Sequence, residues 1–378
     1  MFNKHDINRD AFMLDGSFSK NGYDWWWHSF TAIDSETNEE KPFFIEFFIV
    51  NPGRKDEKLV LGQRDDNKKA GKKPCYLMVK AGCWGEGKMQ LHRFFDLNNV
   101  SIHSKAPYSI KSDDCLASEK RLKGSIHITK EESLAHPEWM CDYGDIEWDL
   151  QIDKKIAYNV GYGAGSILRY LKAFEMYWHA EGMKTLYSGT IKANGKKYIV
   201  KKESSYGYAD KNWGSNFTSP WVWLSSNCMY SKKYGRKLTN SVFDIGGGKP
   251  KICGIALDRK LLGGIYYEGR EYEFNFSKFW TGSKTKFNSE ETDDEIRWSV
   301  IQENSKAIMI TKIRCKKKDM LFVNYESPDG MKRHNRLWNG GNGYGVIYLY
   351  KKKGFTKELI DEIKVSHVGC EYGEYDDV

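Results

Sequence analysis

Short alternating or apolar segments, separated by turn residues, recur through the chain from residue 23 to residue 368. In the segment Gly144–Ile152, the apolar side chains at 146, 148, 150 and 152 fall on one face of an extended strand. Asn194-Gly195 lies between two such segments and is a strong hairpin signal, because both central positions of that turn need φ > 0. The pattern predicts about twenty strands joined mostly by hairpins, which favours antiparallel barrels or a large β-sandwich.

Length and composition agree with an all-β chain of two units. The chain has 378 residues, which suits two domains or one large β unit. Aromatic residues make up 15% of it, and it has 35 glycines but only 8 prolines, a composition that favours strands. We predict units of residues 1–185 and 186–378 and one short helix over residues 356–363. The glycine-rich segment 161–165 is predicted to be a bend.

The charge is positive but scattered. The net charge is +8, and its lysine-rich runs fall in turn-like sequence, so we interpret them as solvated loops. A patch that touches a membrane surface or another polyanion is the alternative. No arginine-rich or RNA-binding aromatic motif accompanies the charge, and nucleic acid is not expected as a partner.

Cysteine spacing and hydropathy predict the compartment. None of the eight cysteines forms C-x-x-C, and no histidine stands at zinc spacing to them, so no metal site is expected. The first ten residues lack the apolar core of a signal peptide, and no apolar run approaches the length of a membrane span. We therefore expect a cytoplasmic protein with reduced thiols.

The stretch from Ser205 to Trp223 concentrates the residues that could carry chemistry. If it is a strand, its side chains alternate between two faces. One face carries Tyr206, Tyr208, Asp210 and Asn212, and the other carries Ala209, Lys211 and Trp213. Lys211 then does not pair with Asp210, although the two are neighbours in sequence. A buried carboxyl without a cation beside it has a raised pKa and can donate a proton near pH 7.

Two interpretations of Asp210 stay open at this point. It is either a proton donor or a structural latch that accepts hydrogen bonds from the neighbouring bend. The tryptophans have a similar ambiguity, because Trp26, Trp27, Trp221 and Trp223 either fill a core or line an apolar pocket whose ring faces stabilise a cation.

The heptad Tyr208-Ala-Asp-Lys-Asn-Trp-Gly214 resembles the signature of the tocopherol cyclase family and, more distantly, the acyclic carotenoid hydratases. The resemblance extends through Phe217, the segment Trp221-Val-Trp223, the triple glycine 246–248 and Arg297-Trp298. It covers residues 165–375 well and residues 10–50 loosely.

This resemblance implies two lipocalin-like antiparallel β-barrels with a hydrophobic ligand site in or between them. Members protonate a carbon–carbon double bond of an isoprenoid tail, and an internal phenol or water then captures the cation, without a metal or other cofactor. By this analogy Asp210 is the proton donor and Tyr208 and Asn212 orient it. The ligand-lining tryptophans would be Trp26, Trp27, Trp178, Trp213, Trp221 and Trp223. The alternative function is that of a non-catalytic carrier of a hydrophobic small molecule.

Overall fold

The computed structural model describes residues 4–158, 174–249, 251–252, 255–256, 260–354, 356–373 and 376–377. The glycine-rich segment 161–165 lies outside them. Three short α-helices are present in the described ranges: α1 (Lys4–Arg9), α2 (Asp65–Lys69) and α3 (Lys130–Ala135). None of the helices in these ranges has the length and apolarity needed to span a bilayer.

The first sheet contains the twelve strands that precede residue 215 in the described part of the chain. They are β1 (Tyr23–Asp34), β2 (Glu40–Val50), β3 (Tyr76–Cys83), β4 (Met89–Phe95), β5 (Ser101–His103), β6 (Ser109–Ser112), β7 (Cys115–Ser118), β8 (Arg121–Ile128), β9 (Gly144–Tyr158), β10 (Met176–Ala193), β11 (Lys196–Val200) and β12 (Gly207–Gly214). Their order is β4-β3-β2-β1-β11-β10-β9-β8-β7-β6-β5, and β12 pairs with both β1 and β10. The sheet curls so that Arg93 on β4 donates to the Ser125 carbonyl on β8, 3.2 Å away.

The second sheet follows residue 220. The strands of this half are β13 (Trp221–Ser226), β14 (Cys228–Ser231), β15 (Arg236–Leu238), β16 (Ser241–Gly248), β17 (Lys251–Ile252), β18 (Ile255–Ala256), β19 (Lys260–Tyr267), β20 (Arg270–Phe274), β21 (Lys284–Glu291), β22 (Glu295–Glu303), β23 (Ala307–Lys316), β24 (Leu321–Glu326), β25 (Lys332–Lys353), β26 (Thr356–Gly373) and β27 (Asp376–Asp377). Its main order is β20-β19-β16-β13-β26-β25-β23-β22-β21. Strands β17 and β18 pair with each other in a separate two-stranded sheet. The Gln302 amide of β22 reaches the Leu261 carbonyl of β19 at 3.3 Å, which brings the two sides of this sheet together.

All pairings between these strands are antiparallel, so the prediction of an all-β chain built from two antiparallel barrels is confirmed. The change of sheet lies between Gly214 and Trp221. The boundary predicted after residue 185 falls inside β10, and the segment 208–214, which we predicted for the second unit, is a strand of the first sheet.

The helix predicted over residues 356–363 is wrong. These residues open β26 and pair with β25 in a register that joins Ile347 to Ile363 and Lys351 to Glu358. The spacing of Leu359, Ile360 and Ile363 resembles a helical stripe, but Leu359 is 45% exposed whereas Ile363 is fully buried. Pairing with a long neighbouring strand overrides the weak local helical preference.

Three apolar clusters divide the interior. One fills the first barrel and contains Trp26 and Trp213, and another fills the second barrel around Trp298. The third lies between the sheets, because it joins Trp27 and Phe44 of the first sheet to residues such as Trp223 of the second. This cluster between the sheets is where the candidate site lies.

Candidate active site

Strand β12 places the signature segment at the centre of the first sheet. It lies between β1 and β10, with Trp27 opposite Asp210 and Trp178 opposite Asn212. All eight of its residues are buried. Alternation then directs its side chains towards two different clusters, the first barrel core and the cluster between the sheets.

Lys211 lies on the face of β12 opposite Asp210, as the alternation predicted, and this face points into the first barrel. Its ammonium group forms a buried ion pair with Asp24 and lies 3.6 Å from the centre of the Trp26 ring. The positive charge beside Asp210 in sequence is thereby committed to another carboxylate on the opposite face of the strand.

Asp210 itself is a buried carboxyl group among indole and phenol donors. Its Oδ2 accepts a hydrogen bond from Trp178 Nε1 at 2.8 Å, and the Tyr208 hydroxyl lies 3.4 Å from the same oxygen. Its Oδ1 is buried and has no hydrogen-bond partner among the described residues. Burial, followed by the negative charge of Glu371, raises the pKa of Asp210 well above its ordinary value, although the Trp178 hydrogen bond opposes this shift.

A second carboxyl group, Asp244 on β16, approaches from the other sheet. Its Oδ2 is 3.1 Å from the Tyr208 hydroxyl and its Oδ1 accepts from Trp223 Nε1 at 3.1 Å. The single Tyr208 hydroxyl therefore lies between two acids from different sheets. Burial, followed by the charge of Asp210, raises the pKa of Asp244 well above its usual range.

Two further buried acids belong to this interface. Glu371 accepts from Trp221 Nε1 at 2.5 Å, and Glu46 forms an ion pair with Lys80 at 3.1 Å, with the Tyr325 hydroxyl also donating to it at 3.1 Å. Burial raises the pKa of Glu371 to about 7 and lowers the pKa of Lys80 to about 8. Glu46, Glu371 and Asp244 were not among the site residues predicted from the sequence. A lone charge in an apolar run, such as Glu46 in Pro42–Val50, was the available signal.

The raised pKa of Glu371 predicts a pH-dependent stability. The unfolded chain releases this proton near the ordinary glutamate pKa of 4.5, whereas the folded protein holds it to about pH 7. Ionisation therefore favours the unfolded state as the pH rises. We expect wild-type stability, relative to Glu371→Gln, to fall by about 3 kcal/mol between those pH values, at about 1.4 kcal/mol per pH unit. Urea unfolding of both proteins across this pH range measures the difference between their free energies of unfolding. A difference that does not change with pH would contradict the raised pKa of Glu371.

The predicted site residues separate into two groups. Tyr208, Asp210 and four tryptophans meet in the cluster between the sheets: Trp27, Trp178, Trp221 and Trp223. Trp26 and Trp213 lie instead in the first barrel core, on the Lys211 side of β12.

Asn212 and Tyr206 are also placed apart from the acid. Asn212 accepts from the Tyr23 hydroxyl at 2.8 Å, and its own Nδ2 has no hydrogen-bond partner within the described ranges. Tyr206 precedes β12 with φ of 43°, and its ring contacts the His367 ring at a tilt of 33°. The residues in contact with the Asp210 carboxyl are therefore Tyr208 and Trp178 rather than Asn212.

The triple glycine 246–248 makes room for Trp178. Together with Trp178 and Trp221 it lines an apolar cavity of about 70 Å³. A Cβ atom at Gly246 would lie 2.6 Å from the Trp178 ring, closer than real contacts allow. Glycine at this position therefore allows the indole that holds Asp210 to pack against β16.

We expect Gly246→Ala to displace Trp178 and to destabilise the fold by about 1–3 kcal/mol, the usual cost of overpacking. Gly264→Ala is the matched control, because its nearest contact would be a milder 3.2 Å. Chemical denaturation of both variants gives the comparison. Equal stability of Gly246→Ala and wild type would show that Trp178 does not depend on this glycine.

One group of three acids has metal-like spacing within the described residues. Single carboxylate oxygens of Asp10, Glu119 and Glu181 lie within 4.8 Å of one another. The Lys154 ammonium group stands 2.9–3.1 Å from all three carboxylates. The chain's own cation thus occupies the position that a metal ion would take.

The fold and this site define an all-β protein of two antiparallel barrels, with buried carboxylic acids and indole donors in the cluster between the sheets. Residues 118–373, more than half of the chain, match the family described as tocopherol cyclase-like, and the chain belongs to that family. The resemblance predicted from residues 208–214 is confirmed. No curated protein matches the chain in sequence.

Several solved structures are similar at low identity. Kievitone hydratase from Nectria haematococca has 11% identity and a TM-score of 0.47, with 97% of this chain and 95% of that chain covered. A Nitrosomonas europaea protein assigned as AttH has 11% identity and a TM-score of 0.45, with 94% and 97% covered. CghA with Sch210972 has 9% identity and a TM-score of 0.44, with 95% and 90% covered. Likenesses this distant assign neither a substrate nor a reaction to this chain.

Proposed function

We propose that this protein binds an isoprenoid-like hydrophobic ligand and catalyses the acid-type cyclisation or hydration of one of its carbon–carbon double bonds. Asp210 is the proton donor. The proposal rests mainly on the hydrogen bonding of its carboxyl group. Oδ2 accepts a hydrogen bond from Trp178, whereas Oδ1 is buried and has no hydrogen-bond partner among the described residues. Membership in the tocopherol cyclase-like family supports the same chemistry.

The hydrogen bonds of Asp210 favour a proton on Oδ1. Because Trp178 donates to Oδ2, that oxygen is an acceptor, and the acidic hydrogen belongs on the other oxygen. Transfer of this proton to one alkene carbon leaves a cation on the more substituted carbon. The electron-rich faces of neighbouring indoles can stabilise that cation.

The cation is then captured by an oxygen nucleophile. A phenol hydroxyl of the same ligand gives a ring, and water gives an alcohol. In either case the nucleophile's O–H proton returns to the Asp210 carboxylate, so that the acid is regenerated without any other reactant. After Asp210 has given up its proton and before it regains one, Trp178 and Tyr208 are positioned to donate hydrogen bonds to its carboxylate.

Ligand binding must enlarge the apolar cavity beside this site. The cavity lined by Trp178 and Trp221 has about 70 Å³, whereas ligand sites have at least about 300 Å³. The two indoles meet edge to face, with ring centres 6.1 Å apart. We expect them to separate when a ligand enters, which a change in tryptophan fluorescence on titration would report.

A reaction in deuterium oxide tests the proposed chemistry. Prenylated quinols and acyclic carotenoids serve as candidate substrates. An acid-type reaction places one deuterium on one of the two former alkene carbons, and the other forms the new carbon–oxygen bond. Mass spectrometry locates the deuterium. Recovery of bound but unchanged ligand across the panel would contradict the enzyme proposal and favour a carrier.

A further inference from the structure

Four side chains outside the candidate active site form a second polar cluster, which contains Cys228, Ser366, His367 and Glu40. Strand β14 pairs with β26 so that Cys228 is opposite Ser366. The Ser366 hydroxyl lies 3.2 Å from Cys228 Sγ and 3.2 Å from His367 Nδ1. His367 Nε2 lies 2.8 Å from a carboxylate oxygen of Glu40. Glu40 begins β2 of the first sheet, and the cluster therefore joins both sheets.

Glu40 fixes the tautomer of His367. A carboxylate accepts hydrogen bonds, so Nε2 carries the hydrogen and Nδ1 is left as an acceptor on the side of Ser366 and Cys228. The imidazole is also held from its face by Tyr206, whose ring centre is 4.1 Å away. Both His367 and Tyr206 have positive φ, of 51° and 43°, a conformation that is uncommon for non-glycine residues.

The cluster opens into a large groove of about 1100 Å³ on the second barrel. Cys228, Ser366 and His367 all line it. The groove is also lined by two acids, Glu290 and Glu362, and by six basic side chains: Lys232, Lys237, Arg297, Lys312, Arg314 and Lys364. The surface in front of the thiol therefore has an excess of positive charge, which favours ligands that carry an anionic group.

The environment of Cys228 differs from that of Cys141, the other half-buried thiol among the described residues. Burial raises the pKa of Cys141 to about 11. Burial also acts on Cys228, but hydrogen bonds with His367 and Ser366 and the charges of His367 and Lys237 outweigh it, so its pKa is lowered. The chain thus contains an internal control for thiol reactivity.

We propose that Cys228 is a nucleophilic thiol which adds to electrophiles that carry an acidic group, such as α,β-unsaturated keto acids, with His367 as its base. The thiol proton passes to His367 Nδ1, directly or through Ser366. The sulfur then forms a bond to the β-carbon while the π electrons move to the carbonyl oxygen. The imidazolium proton finally goes to the α-carbon, and the product is a thioether. This site is independent of Asp210 and of the function proposed above.

Alkylation of the full-length protein at pH 7, mapped by peptide mass spectrometry, tests the proposal. With iodoacetamide the sulfur–carbon bond forms as iodide leaves, and we expect Cys228 to react at least about tenfold faster than Cys141. His367→Asn should lower the Cys228 rate towards that of Cys141. Glu40→Gln, at a side chain that is 45% exposed, is a second variant with little risk to folding and should also slow the reaction.

The charge of the groove is tested with a second reagent. The rate ratio of iodoacetate to iodoacetamide at Cys228 should exceed the same ratio for free cysteine and should fall towards it in high salt. An equal or lower ratio would overturn the preference for acidic electrophiles. Equal rates at Cys228 and Cys141, or an unchanged Cys228 rate in both folded variants, would overturn the nucleophile itself.

Discussion

Replacing Asp210 by Asn is expected to reduce turnover by at least about 100-fold, the lower bound for losing a general acid. The amide preserves the shape of the side chain and can still accept from Trp178, but it has no proton of suitable acidity to deliver to an alkene. Ligand affinity should therefore stay close to that of wild type. Turnover and binding are measured with whichever substrate the deuterium experiment identifies.

Glu371→Gln is the matched control for this substitution. Glu371 is also a buried carboxyl group that accepts from a tryptophan indole, in this case Trp221 at 2.5 Å. We expect it to retain most of the turnover, because the proposed proton comes from Asp210. A folded Asp210→Asn protein with wild-type turnover would show that Asp210 is a structural latch.

The largest effect on stability is expected from Lys154→Met. Lys154 is fully buried between Asp10, Glu119 and Glu181, with ion-pair distances of 2.9–3.1 Å. Its removal leaves three acids together in the first barrel without their cation, and breaking a buried pair typically costs about 3–5 kcal/mol. The difference in the free energy of unfolding between wild type and Lys154→Met should become smaller at low pH, where these acids are protonated in both the folded and the unfolded chain.

The neighbouring residue supplies the control. Lys155 forms an ion pair with Asp153 at 2.7 Å, but both side chains are more than 40% exposed. Lys155→Met should change the free energy of unfolding by no more than about 1 kcal/mol. Urea unfolding of both variants at pH 7 gives the comparison, and losses of equal size would contradict the assigned role of Lys154.

Local sequence periodicity predicted the features that depend on one strand. Alternation along β12 separated Asp210 from Lys211, and both side chains lie where that pattern placed them. The same alternation puts Trp213 on the Lys211 face, where it lies, although the family resemblance predicted that it would line the ligand site with the other tryptophans. Alternating segments and hairpin signals likewise predicted an antiparallel all-β chain.

Local sequence patterns did not predict the features that depend on the order of strands in the sheets. Asp244 and Glu371 reach the site from β16 and β26, strands whose packing against β12 no local pattern encodes. The first residues of β26 looked helical in isolation and became a strand because β25 offers a long partner. For the same reason no local pattern located the change of sheet after Gly214, since β10 continues through residue 185 to pair with β9, β11 and β12.

Infrared spectroscopy measures whether the Asp210 carboxyl group carries the proton that the proposed reaction requires. The proposed proton donor is neutral at pH 7, and burial and the charge of Glu371 raise the pKa of Asp210 in the direction that this role requires. The difference spectrum of wild type minus Asp210→Asn at pH 7 should then contain the carbonyl stretching band of a protonated carboxylic acid. A difference spectrum with carboxylate bands in place of that band would contradict the proposed role of Asp210 as proton donor.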